Sequence, residues 1–164
     1  MSRLNVDQIY TRTGTGSPAI REMPVFSVQR TIDQSITTNT YNKINYNVVN
    51  FDSNGYWSTS DYRYTPLIPG YYVFNMQGLV AGSSSVPTQM IASFYKNGSL
   101  IRTGNRIVLP SAPSSSSAVV ANSLLYMNGS TDYIEGWIIA VAGTPYVFGS
   151  EVNNYFEGYL VRPD

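Results

Sequence analysis

Between residues 71 and 80 the chain alternates, and that alternation decides its fold class. Tyr72, Phe74 and Met76 fall on one side of an extended segment, and Tyr71, Val73, Asn75 and Gln77 on the other, because successive strand side chains point to opposite faces of a sheet. The first set predicts a core. The second is too apolar at its start for free solvent and too polar beyond it for a deep core. Such a mixture fits a contact between subunits. Tyr71, Val73 and Asn75 are the residues expected there, joined by Tyr155 from the last strand.

The chain from residue 25 onward keeps to short strands and turns. Extended runs are expected at 25–30, 43–51, 61–65, 89–96, 100–108, 118–127, 133–141 and 155–162, and no segment carries a helical period. Within 43–51, Ile44, Tyr46 and Val48 alternate with Lys43, Asn45 and Asn47 until Val49 and Phe51 break phase, which predicts a bulge or bend. Asp52-Ser53-Asn54-Gly55 is a turn cluster. Pro66 and Pro69 bracket a corner from which Gly70 releases the strand. Asn97-Gly98 and Asn128-Gly129, each between apolar runs, predict tight hairpins. The last strand is expected to complete a sheet, since its backbone groups need partners. An antiparallel sandwich follows.

Composition narrows what such a sandwich does. Charged residues make up only 12% of 164, and ten Lys and Arg balance ten Asp and Glu, for a formal net charge of zero. Asn, Ser and Thr carry the polarity instead, beside 14 Tyr and 6 Phe. A surface with so little net charge favours association over solitary solubility. The cations are scattered, so nucleic-acid binding lacks its main electrostatic term. Cysteine is absent, which removes any disulfide framework. Residues 1–8 lack the apolar segment of a secretory leader, and no apolar run is long enough to span a bilayer. The chain is therefore expected to be made in a host cytoplasm and to leave it only inside a particle.

Residues 1–24 differ from the rest. Thr11, Arg12, Thr13, Gly14, Thr15, Gly16, Ser17 and Pro18 form a small polar stretch without alternation, preceded by Leu4, Val6 and Ile9 as its apolar anchors. A frayed end is the plainer reading. Arg3, Arg12 and Arg21 with those anchors suit an extended arm lying in a groove on another subunit, and Leu4, Val6, Ile9 and Arg12 are the expected contacts.

Chemistry has little to work with. Histidine is absent, which removes the usual general base near neutral pH and the commonest metal ligand. Asp52 with Asp61, and Asp132 with Glu135, are the carboxylate pairs to consider for glycoside hydrolysis, but turn capping and exposed edge charge explain them more simply. Lys43 and Lys96 are the only lysines, and Lys96 reads as a solvated turn residue. Gly14 and Gly16 lack the strand and helix that phosphate binding requires. No catalytic residue, cofactor or metal is expected. Among the aromatics, Tyr46 and Tyr64 read as core, and Tyr56 and Trp57, beside the 52–55 turn, as an exposed contact for a receptor.

The order of these pieces resembles the globular head of complement component one q, within the tumour necrosis factor-like jelly rolls. The resemblance is carried by Tyr64, Thr65, Pro66, Pro69, Gly70, Tyr72 and Phe74 at the corner, with one extra residue there, then by Lys96-Asn97-Gly98, by Leu124 to Gly129 with Asp132 and Trp137, and by Phe156, Gly158 and Leu160 near the end. It implies an all-β, antiparallel ten-strand jelly roll over 25–164 that forms a homotrimer, with 1–24 as a short N-terminal arm. Residues 1–24 carry no collagen-like Gly-x-x repeat. The arm is similar to the N-termini of small structural proteins of tailed bacteriophages, cyanophages especially. That likeness implies a non-enzymatic virion protein that decorates or reinforces the capsid or tail, its partners being further copies of itself and other virion proteins. The alternative is a receptor-binding tail-fibre tip that recognises a host surface glycan or protein.

Overall fold

The computed structural model describes residues 23–83, 85, 87–109 and 116–164. These hold no helix and form thirteen strands in two antiparallel sheets. The first sheet is built on β7 (Gly70–Gly82), paired along one edge with β10 (Ser116–Met127). Its other edge is shared by β13 (Tyr155–Pro163) and β12 (Pro145–Val147). β1 (Val25–Gln29) follows β13, β4 (Val48–Asp52) follows β1, and β2 (Gln34–Ser35) borders β12. The second sheet is built on β11 (Ile134–Val141), with β8 (Gln89–Lys96) on one edge and β3 (Tyr41–Lys43) and β6 (Arg63–Tyr64) on the other. β9 (Ser99–Val108) lies outside β8, and β5 (Trp57–Ser58) outside β6.

Thirteen strands stand where ten were expected. The excess consists of pieces two or three residues long, such as β2, β3 and β12. They arise where the chain passes from one sheet to the other and pairs only briefly. Residues 43–51 show how. Instead of one strand with a slip, this run ends β3 in the second sheet, crosses, and begins β4 in the first. The crossing backbone is met by carbonyls of both sheets, Ile44 N donating to Gly136 O and Asn47 N to Gln29 O, each at 2.9 Å, and by side-chain amides, as buried peptide groups require partners. Asn45 N donates to Gln34 Oε1 at 2.9 Å, and Asn47 Oδ1 accepts from Thr31 N at 3.0 Å. The expected bulge follows in β4, where Val49 faces Val28 and Phe51 faces Ser27, leaving Asn50 between them.

The two Asn-Gly turns part company. Asn97 and Gly98, at φ of 52° and 76°, close the β8–β9 hairpin, in the left-handed conformation that a two-residue turn demands and glycine adopts freely. Asn128-Gly129 closes no hairpin, because β10 and β11 belong to different sheets. Asn128 Oδ1 instead accepts from the N–H groups of Ser130, Thr131 and Asp132, each at 3.0 Å. The dipeptide sets a local bend; whether the flanking strands pair is decided elsewhere.

Between the sheets lies an aromatic core. Tyr72, Phe74 and Met76 point into it as their alternation predicts, and Tyr46 and Tyr64 are fully buried. Phe26 of the first sheet stacks on Tyr64 of the second with centroids 3.9 Å apart. Phe74 lies within 6.3 Å of the rings of Phe26, Tyr64, Phe94 and Phe156. It has that room because Gly158 is its neighbour on β13; a Cβ there would come within 2.7 Å of Phe74 Cδ1. The Phe156-x-Gly158-x-Leu160 pattern is thus a packing device. Phe74→Ala should lower stability by about 3–5 kcal/mol, read from denaturant unfolding; a loss near about 0.5 kcal/mol, the scale of surface changes, would contradict this packing.

Candidate subunit interface

Fixing Phe74 inward turns its neighbours outward. Tyr71, Val73, Asn75 and Gln77 line the outer face of β7, and the register extends each into a row across the sheet. Val73 stands beside Leu124 on β10 and Tyr159 on β13, and Tyr159 beside Val25 on β1. Asn75 stands between Asn122 and Glu157, with Ser27 beyond; Gln77 stands between Val120 and Tyr155. Tyr71 packs against Tyr126 with ring centroids 5.4 Å apart.

These rows are uncovered. Leu124 is 55% exposed, Tyr159 48% and Tyr71 45%, and Val25, Val120 and Tyr126 are exposed as well. Contiguous apolar surface of this kind, outside a core, marks an interaction site. A depression of about 180 Å³, lined by Val25, Phe51, Asn75, Glu157 and Tyr159, indents its centre. The four sequence-predicted interface residues Tyr71, Val73, Asn75 and Tyr155 lie together on this one face. Sequence reading missed its other half, Leu124, Tyr126 and Tyr159, although each alternates with a buried neighbour (Leu125, Met127 and Leu160). Leu4, Val6, Ile9 and Arg12 lie outside the described residues.

Of the expected receptor contacts, Trp57 is corrected. It is only 8% exposed, turned inward by β5 against Phe156 and Tyr46 at centroid distances of 5.8 and 6.2 Å. Tyr56 is half-buried, with its ring edge toward Tyr64. Besides the tyrosines of the first sheet, a half-buried aromatic cluster lies on the outer face of the second. There Tyr95 stacks on Trp137 at 4.4 Å and meets Tyr41 at 5.7 Å.

The carboxylates cap turns and tie strands together. Asp52 accepts from the N–H groups of Asn54, Gly55 and Trp57, as a turn cap. Asp132 and Glu135 are not exposed edge charges, being 7% and 5% exposed. Glu135 accepts from Lys43 Nζ at 3.1 Å and from Trp137 Nε1 at 2.9 Å. Asp132 joins both Asn-Gly turns, accepting from Asn97 Nδ2 and Lys96 Nζ at 2.7 Å and from Asn128 N at 2.9 Å. Lys96 is therefore an ion-pair partner, not a solvated turn residue. Burial would raise the Asp132 carboxyl, but the hydrogen bonds from Lys96, Asn97 and Asn128 and the Lys96 charge outweigh it and hold the group below the ordinary carboxylate range. Burial pushes the Tyr46, Tyr64 and Tyr72 hydroxyls up, so they stay protonated. Among the described residues no three acidic side chains stand together as metal ligands.

No protein-family model matches this chain, and no curated protein matches it either. Solved structures do. The globular domain of zebrafish complement 1qA protein is 16% identical, covering 86% of this chain and 99% of that one, with a TM-score of 0.60. Murine APRIL at pH 5.0 is 10% identical over 85% of this chain and all of its own, also at 0.60. Eiger TNF from S. frugiperda is 5% identical over 88% of this chain and 96% of its own, at 0.63. The fold is thus the jelly roll of these proteins. Identities this low speak of backbone architecture alone.

A carboxylate held low in the folded state favours folding above its ordinary pKa, and that contribution disappears as pH falls through the lowered value. Asp132→Asn should accordingly unfold at lower denaturant than wild type near neutral pH, and the difference should shrink toward about pH 3, where unfolded Asp is itself protonated. Urea titrations of both chains at the two pH values measure this. An unchanged gap would show that Asp132 acts without its charge.

Proposed function

We propose that this chain is a non-enzymatic structural protein of a phage virion: a homotrimeric knob whose subunits meet on the outer face of the first sheet and which residues 1–24 hold on the capsid or tail. The observation that carries self-association is the uncovered apolar face around Val73, Leu124 and Tyr159. A formal net charge of zero supports it, because little long-range repulsion opposes contact between copies. The jelly-roll resemblance implies three copies. The virion and the arm's role rest on the similarity of residues 1–20 to phage structural proteins. Residues 25–164 form the knob.

A second reading, a tail-fibre tip that binds a host surface glycan, is favoured by the outward aromatics Tyr41, Tyr95 and Trp137. Aromatic faces stack well on the apolar faces of sugar rings. Glycan-array binding that Trp137→Ala abolishes would favour this role; binding to no glycan would leave the knob without it.

The full chain should scatter light as three times its own mass. A stable monomer at micromolar concentration overturns the assembly. Val73→Asp should remain folded, because Val73 faces outward, yet fail to assemble, since a buried unpaired carboxylate costs several kcal/mol.

The arm is tested separately. An extended segment that orders on docking gives up roughly 1–2 kcal/mol of backbone entropy per residue, so it needs specific partners, and Leu4, Val6, Ile9 and Arg12 are proposed to supply them. Deleting residues 1–20 should leave a folded trimer that is missing from purified particles. Full occupancy of the truncated chain would place attachment on the jelly roll.

A further inference from the structure

We propose that Glu157, at the centre of the outer face of the first sheet, is met in the assembled protein by Arg102 from the β9 edge of a second copy of this chain. The inference rests on the self-association proposed above and says which two surfaces meet.

Glu157 is the one charged side chain in the Val73, Asn75 and Gln77 rows. It stands between Asn75 and Ser27 and helps line the central depression. Among the described residues no hydrogen bond or ion pair reaches its carboxylate. In water this arrangement is tolerated. Once a second copy covers Leu124, Val73 and Tyr159, the carboxylate is enclosed among apolar groups, and an enclosed charge without a counterion opposes the contact. Two copies meeting face to face would bring two such carboxylates together. The complementary surface must therefore be a different part of the chain, and it must carry positive charge.

β9 fits. It is the edge strand of the second sheet, ten residues long and exposed along almost its whole length, on both of its faces. Its middle lies against β10 of its own chain, at Gly104 and Asn105, but to either side Leu100, Ile101 and Val108 are 45%, 39% and 59% exposed, and exposed apolar side chains along a sheet edge invite a partner. Arg102 and Arg106 lie among them. Among the described residues four other cations are engaged: Lys43 and Lys96 by Glu135 and Asp132, Arg63 by Asp61 and the Tyr133 ring, Arg30 by the carbonyls of Asn45 and Asp33. Arg106 donates to Gln89 at 2.8 Å. Arg162 pairs in register with Tyr71 on the same face as Glu157, two rows away. Among the described residues Arg102 donates only to the carbonyl of its neighbour Ile101, at 3.2 Å, leaving most of its guanidinium available to a partner. A face that receives an edge is a heterologous contact, which closes into a ring when its rotation closes, as the proposed three copies require.

Charge reversal in the full chain tests the pairing by dilution in sedimentation or light scattering. Glu157→Arg and Arg102→Glu should each weaken assembly by at least about tenfold, and the chain carrying both should recover to within about threefold of wild type, as expected where a close ion pair couples across an interface. Arg102 is exposed at the sheet edge and Glu157 lies on the outer face of the first sheet, so each variant should keep the wild-type circular dichroism. Glu157→Arg combined with Arg106→Glu or Arg162→Glu should not recover. Recovery by either of those pairs, or failure of the Arg102 pair while wild type assembles, overturns the assignment and leaves self-association standing. A monomeric wild-type chain overturns the underlying assembly instead. As an independent readout, added salt should weaken wild-type assembly and leave the Glu157→Gln, Arg102→Gln chain unaffected; equal salt dependence in both would also overturn the pairing.

Discussion

The seating of Phe74 against Gly158 is the contact on which the rest of this molecule depends. Phe74 bridges the sheets through Tyr64 and Phe94 on one side and Phe26 and Phe156 on the other. It reaches them because its neighbour on β13 has no side chain. Strand side chains repeat every two residues, so choosing Phe74 as the inward residue also chooses every outward one. A slip of one residue would bury Tyr71, Val73 and Asn75 and expose the core. The outer face is therefore a consequence of core packing. Selection for a tight sandwich and selection for an outer contact act on the same register.

That coupling also explains what could be read from the sequence. The face of Tyr72, Phe74 and Met76, and its outward counterpart, were legible because ten residues of alternation leave one solution. Asn97-Gly98 was legible because its turn geometry is local. Trp57 was not, since a two-residue strand offers no alternation to orient it. Asn128-Gly129 looks the same as Asn97-Gly98 over two residues, yet one joins paired strands and the other spans the sandwich; that difference belongs to the topology. Asp132 and Glu135 were misread as exposed charge for a related reason. Their partners Lys96 and Lys43 arrive from other strands, and only the assembled sheet shows that burial is compensated.

The identities of 16%, 10% and 5% to the structures sharing this fold fit the same picture. A jelly roll needs inward apolar residues, turns that bend and a few glycines that make room, and many sequences satisfy that list. The outward residues answer to whatever touches them. Here they differ sharply between the sheets. On the second sheet the outer face is finished in itself, because Lys43 neutralises Glu135, the Trp137 indole also donates to that carboxylate, and Tyr95 covers the ring. On the first sheet the outer face is unfinished, with apolar rows open to water around one carboxylate without a partner. A chain with only 12% charged residues has few groups with which to solvate a surface, and it has placed its closest ion pairs, Lys96–Asp132 and Lys43–Glu135, on the second sheet. Such an asymmetry has little use in a solitary molecule. It follows naturally if the outer face of the second sheet meets solvent while that of the first meets more of the same chain.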